Sequence, residues 1–174
     1  MELLKVFDAK DYGDCTGTVE KHSVRAVILQ NGRIAMQQGS RGEYKILGGG
    51  VDRGETLTQA LAREVREEAG LIVRTDTIRP IGEILELRRD RFEKDKKYIC
   101  HSYFFFCEIE KEHCACEMTE SEIDKGYHLT WAQFDEIIAA NQRIADEPWL
   151  TRDAEFIRML QSGEISQREN VSQP

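Results

Sequence analysis

The stretch from Gly49 to Leu71 constrains this chain more than any other. It runs from that glycine through five residues to Glu55, then through seven more to Arg63-Glu64-Val65-Arg66-Glu67-Glu68-Ala69-Gly70-Leu71. Thr56 with Gln59 three residues on has the form of a capping box, and Gly70 is a helix stop, so the spacing predicts a helix over Leu57–Ala69. On a wheel turning about 100° per residue from Leu57, the residues Leu61, Val65 and Ala69 fall at roughly 40°, 80° and 120°, an apolar stripe facing a core. Glu64 and Glu68 fall at roughly −20° and +20°, and Glu67 at roughly −80°. Two carboxylates therefore share the buried stripe, and a third sits on its edge.

Such an arrangement is costly. Like charges three and four apart on a helix repel, and buried carboxylates need a compensating cation. The sequence offers Arg63 and Arg66 in the same helix, or a divalent metal. Oxygen-only ligands suit Mg²⁺, which keeps waters and binds substrate phosphates. A solvated, salt-bridged helix face is the plainer alternative. Before the helix, Gly48, Gly49, Gly50 and Gly54 predict a flexible loop whose backbone can approach a metal or phosphate. It lacks the Gly-Lys-Ser/Thr ending of a Walker A loop, and Arg53 stands where a dinucleotide fingerprint needs its third glycine.

These residues resemble the Nudix box at every fixed position: Gly49, Glu55, Arg63, Glu64, Glu67, Glu68, Gly70 and the aliphatic Leu71. Arg33 to Gly50, a strand and loop entry, and Thr130 to Ile137, a tryptophan followed by an acidic helix start, are also similar to the family. The likeness spans roughly residues 22–140. It implies an α/β fold, an α/β/α sandwich with a mixed β-sheet, and hydrolysis of a nucleoside diphosphate linked to another group, using Mg²⁺ or Mn²⁺. Carried over by position, Glu64, Glu67 and Glu68 would hold the metal, with the carbonyl of Gly48 or Gly49 completing the coordination. Arg63 and Glu55 would pair and brace the helix. The general base stays open among the three glutamates and two loop candidates, Glu120 and Glu122. Leu47 stands where the family often has proline, and Asp52 where it often has glutamate, so loop variation leaves substrate choice open. A catalytically silent nucleotide-binding module of the same fold is the alternative.

Candidate substrate contacts are Arg41, Tyr44, Lys45 and Arg53 around the glycine loop, Arg25 on the first predicted strand, and Arg88 or Arg89 beyond the fourth. Each is read more readily as a solvated surface charge. Trp149 fits core packing better than base stacking.

Composition narrows the partners. A net charge of −8 over 174 residues argues against an extended nucleic-acid face and suits a small anionic substrate only where metals invert the local field. No apolar run approaches the roughly 20 residues that span a bilayer, and Met1 to Lys10 lacks a signal-peptide core, so the cytoplasm is the default. Five cysteines argue for free thiols, with Cys100 and Cys107 as small core residues in a strand. Small nucleotides are the implied partners, and the resemblance admits a homodimer.

Periodicity predicts strands at Val24–Leu29 and Ile34–Gln38, joined by the hairpin turn Asn31-Gly32, a short strand at Tyr44–Leu47, and others at Ile81–Leu87 and Ile99–Ile109. The last is apolar on both faces, which suits a central strand between helical layers. Arg88 to Lys97 reads as an exposed connection. Trp131 leads into a helix with Phe134, Ile137 and Ile138 on one face, and Pro148 opens another with Trp149, Phe156, Ile157 and Leu160 on one side. One domain over residues 1–161 and a frayed tail over 162–174 complete the expectation.

Overall fold

In the computed structural model, which describes residues 1–165, Asn31 and Gly32 both adopt positive φ (50° and 74°). This is the backbone that a two-residue hairpin requires. It joins β3 (Leu29–Gln30) to β4 (Arg33–Gln38). β5 (Tyr44–Ile46) lies on one edge of β4 and β8 (His128–Ala132) on the other, both antiparallel. The second sheet runs β1 (Leu3–Asp8), β6 (Leu71–Arg89), β7 (Lys96–His113), β2 (Gly17–Val27). It is mixed: β1 lies parallel on β6 and β2 parallel on β7, while β6 and β7 are antiparallel.

The helices are α1 (Leu57–Ala69), the short α2 (Glu120–Asp124), α3 (Phe134–Ile144) and α4 (Pro148–Gln161). Neighbouring residues of β7 point to opposite faces, so Phe105 packs under α1 with Leu61, Val65 and Val24, whereas Phe104 packs under α3 and α4 with Ile137, Phe156 and Ile157. Phe104 and Phe156 stack with ring centroids 3.8 Å apart. The result is the expected α/β/α sandwich, with β7 as its buried central strand and Cys100 and Cys107 inside it.

The expectations differ from the structure in four places. β1 and the first half of β2 carry no apolar alternation; they are strands because β6 and β7 supply parallel backbone partners for them. β6 begins ten residues before Ile81, with irregularities around Arg74–Arg79 and at Pro80, where proline is tolerated. The exposed connection expected at Arg88–Lys97 shrinks to a turn, because strand pairing continues to Arg89 and resumes at Lys96. Asp90 is buried there, accepting the amides of Phe92 and Glu93 at 2.8 and 2.7 Å. Glu120 and Glu122, read as loop residues, sit on α2, which Thr119 starts with its own capping box. Of the tail expected over 162–174, residues 166–174 lie outside the described residues, while Ile165 is buried on the core beneath α4. No described helix is long and apolar enough to cross a membrane.

Candidate active site

The predicted box helix forms with the predicted ends. Thr56 and Gln59 satisfy each other's backbone amides, and Gly70 closes α1 in a left-handed conformation (φ 65°). The wheel is borne out by burial: Glu68 is 2 % exposed, Glu64 15 % and Glu67 31 %. Glu68 and Glu64 face the strand end after β5, and Glu67 is linked to it through Arg63.

That strand end is pinned rather than flexible. Ala26 and Val24 of β2 donate to the carbonyls of Leu47 and Gly49 at 2.8 and 2.9 Å. Gly48 has φ +129°, and a Cβ there would sit 2.1 Å from the Val24 carbonyl oxygen. A Cβ on Gly49 would meet the Glu64 carboxylate at 2.4 Å. Gly48 therefore admits only glycine, whereas a side chain at Gly49 would push aside the flexible end of Glu64.

Each carboxylate has a cation. Arg63 is the hub of the half-exposed part: Nε and Nη2 donate to Glu55 at 2.9 Å each, Nη1 to Glu64 at 2.8 Å and Glu67 at 3.1 Å, and Nη2 also to the Gly50 carbonyl at 2.9 Å. This clasp holds the Glu55 carboxyl below its usual range and raises the Arg63 guanidinium above its own. Glu68 accepts the Gly48 amide at 2.7 Å and is paired with Lys45, whose ammonium also lies 3.3 Å from Glu122. Burial pushes the Glu68 carboxyl up to about 7, with Lys45 acting against it. Burial also works to raise Glu122, but the Thr119 amide and Lys45 outweigh it and hold that carboxyl low.

Among the described residues, no three acidic, histidine or cysteine side chains already stand as a metal cage. Arg63 and Lys45 supply the positive charge that the three glutamates demand. The donor set is all oxygen and strongly anionic, so its chemistry fits a hard divalent cation.

Beside this helix a cleft of about 390 Å³ opens on the opposite face of the mixed sheet. Arg25, Lys45, Arg88, Tyr98, Glu122 and Trp149 contribute to its walls, together with Gly48 to Gly50. Arg25 is 8 % exposed and donates Nη1 to the Gly48 carbonyl. Burial lowers its pKa. Arg88 lies over the Tyr98 ring, 4.0 Å from its centroid.

The structure thus brings Arg25, Arg88, Lys45 and Glu122 to one cleft. It places four other candidates elsewhere. Arg41 is held by Asp146 and Glu43 at the β4–β5 turn. Tyr44 packs on the core beneath α3, where Asn141 bonds both its amide and its carbonyl at 2.8 Å. Arg53 stays exposed in the loop before α1, as does Glu120 on the outside of α2. Trp149, expected in the core, stands half-buried on the cleft wall, because the first turn of α4 overhangs the sheet. Sequence reasoning missed Lys21, Tyr98 and Arg152; the available signal was the alternation of Lys21, Ser23 and Arg25 onto one strand face.

A family model described as the NUDIX domain matches residues 20–158. The chain belongs to the Nudix family. Over 62 residues it is 40% identical to a Danio rerio protein named oxidized purine nucleoside triphosphate hydrolase, a match covering 33% of this chain and 38% of that relative. Its fold resembles that of a NUDIX hydrolase from Nitrosomonas europaea (TM-score 0.60, 19% identity, 90% of this chain and 98% of the other). It also resembles an ADP-ribose pyrophosphatase from Streptococcus suis (TM-score 0.54, 18% identity, 85% and 94%). At those identities the two structures speak for the shared Nudix fold.

Proposed function

We propose that this Nudix chain hydrolyses the pyrophosphate bond of a nucleoside diphosphate joined to a further group, with a divalent metal. The observation that carries this reading is the gathering of Glu64, Glu67 and Glu68 on one face of α1, against the glycine strand end that opens into a basic cleft. The names of the relatives, an oxidized purine nucleoside triphosphate hydrolase and an ADP-ribose pyrophosphatase, belong to the same substrate class.

Glu64, Glu67 and Glu68 would hold Mg²⁺ or Mn²⁺, and the carbonyl of Gly48 or Gly49 would add an oxygen. When bound, such a metal neutralises diphosphate charge and acidifies water. The chain's own groups do the rest. Arg63, clasped by Glu55, fixes the orientation of the helix carboxylates. Arg25 and Lys45 bring positive charge to the cleft floor, where it favours the phosphate oxygens as negative charge builds on them. Glu122, held ionised beside Lys45, is better placed than Glu120 to accept a proton from an attacking water.

The test is direct. The purified chain is incubated with Mg²⁺ and NDP-sugars, ADP-ribose, dinucleoside polyphosphates and NTPs, and the products are identified. Cleavage between two phosphorus atoms that is lost in Glu67→Gln, with the fold intact, supports the hydrolase. Binding across the panel without turnover replaces it with the silent nucleotide-binding module.

A further inference from the structure

The cleft extends well beyond the glycines. Gly49 bonds to Val24, whereas Tyr98 and Arg88 stand level with Val19, roughly 16 Å further along β2. On the same sheet face, Lys21 stands level with Cys100 and Glu86, one row from Arg88. Two strand spacings put the backbones of Lys21 and Arg88 about 10–12 Å apart. Two long cationic side chains can close that gap around one phosphate.

The charges facing this end of the cleft are accounted for. Glu86 stands on β6 two residues before Arg88 and level with Lys21, and Arg152 takes its carboxylate at 3.1 Å. Arg91 is paired with Glu147, and Lys45 with Glu68 and Glu122. Among the described residues, Lys21 and Arg88 have no carboxylate at ion-pair distance. Arg88 is nonetheless fixed in place: its guanidinium lies on Tyr98, and Nη1 donates to the Arg89 carbonyl at 3.0 Å. Its Nε is buried without a partner. A buried, unpaired, charged donor is costly unless a ligand satisfies it, and a guanidinium held flat on a ring is preorganised for an oxyanion. The lining carries seven lysines and arginines against three glutamates, although the chain as a whole is at −8. A cleft of one sign within a protein of the other concentrates anions there.

We infer that Lys21 and Arg88 form a second anion subsite, remote from the scissile diphosphate, and that the substrate carries a separate phosphate monoester on its nucleoside or sugar end. This rests on the proposed hydrolase reading and narrows its substrate class. Arg88 stands about 16 Å along β2 from the Gly49 row, farther than the spacing of adjacent phosphorus atoms, and this favours a separate monoester over the next phosphate of a contiguous chain.

The test uses the full chain in EDTA and isothermal titration, so that binding is read without turnover. The ligands are ADP-ribose, ADP-ribose phosphorylated on the adenosine ribose, ADP-ribose phosphorylated on the terminal ribose, and ATP. One phosphorylated form should bind about tenfold or more tighter than ADP-ribose, and which one does so tells the nucleoside end from the sugar end. That preference should fall about tenfold in Arg88→Gln and in Lys21→Gln, each with unchanged circular dichroism. With Mg²⁺, the ratio of kcat/KM for the same ligand pair should fall alike. Equal affinity for the phosphorylated and plain ligands, including no measurable binding of either, overturns the subsite. So does a preference that survives both substitutions, or tighter binding of ATP than of both phosphorylated forms. Failure of every ligand to turn over with Mg²⁺ sinks the hydrolase reading instead, and the titrations still report on the subsite.

Discussion

Two arginines organise this molecule in contrasting ways. Arg63 holds Glu55, Glu64 and Glu67, all within eight residues of it, and its side chain keeps a quarter of its surface in water. Arg152 is 3 % exposed and gathers Glu86 from β6, Ser102 from β7 and Asp153 beside it on α4. Asp153 in turn accepts the Ile46 amide of β5 at 3.0 Å. The first cluster is local and wet, so its ion pairs can rearrange at modest cost when a ligand arrives. The second is dry and ties three elements of one sheet–helix layer to a strand of the other sheet, so losing a partner leaves charge stranded in the core. In the proposed hydrolase the first network serves chemistry, while the second holds the cleft floor in shape.

Four measurements sharpen or break that contrast, and the largest effect belongs to the dry network. Arg152→Met leaves Glu86 and Asp153 buried without their cation and should cost about 3–5 kcal/mol in urea unfolding. A loss below about 1 kcal/mol would show that the network is not architectural.

Glu68 comes next, because it sits where the two behaviours meet. Its carboxyl is raised from 4.5 to about 7, so the folded metal-free chain prefers it protonated. That preference contributes stability fully below pH 4.5 and loses it as the pH climbs through 7. Between those limits the wild type should lose up to about 3 kcal/mol relative to Glu68→Gln in EDTA. Parallel pH curves for the two proteins would contradict the burial.

In the wet network the effect moves from stability to rate. Glu67→Gln should lower turnover at least about 100-fold while shifting the unfolding midpoint little. Equal damage to both would make the Arg63 cluster structural after all. Glu55→Gln loosens the brace without touching the helix carboxylates, and about a tenfold loss of turnover is expected. An unchanged rate would mean that Glu64 and Glu67 alone position Arg63.

Legibility followed the same division. The extent of α1, its two caps and the graded burial of Glu64, Glu67 and Glu68 were all readable from spacing, since a helix repeats within a few residues. The clasp of Arg63 on Glu55 was readable through the resemblance and appears as expected. The glycines were read as flexible, yet Gly48 and Gly49 prove to be pinned by β2 and by Glu64, partners more than ten residues away in sequence. Tyr44 and Arg41 looked like substrate contacts because they flank those glycines along the chain. Strand alternation turned Tyr44 into the core, and Asp146 captured Arg41.

By itself, then, the sequence determined the helix that carries the acid cluster and the hairpin at Asn31-Gly32, and the family resemblance implied the layered α/β plan. The helix and the hairpin are written in short local intervals. Only the tertiary structure decided the cleft. Lys21, Lys45, Arg88 and Trp149 come from four elements, and strand register with helix docking makes them neighbours. No local interval encodes such a meeting, because it depends on which backbone pairs with which across the sheet.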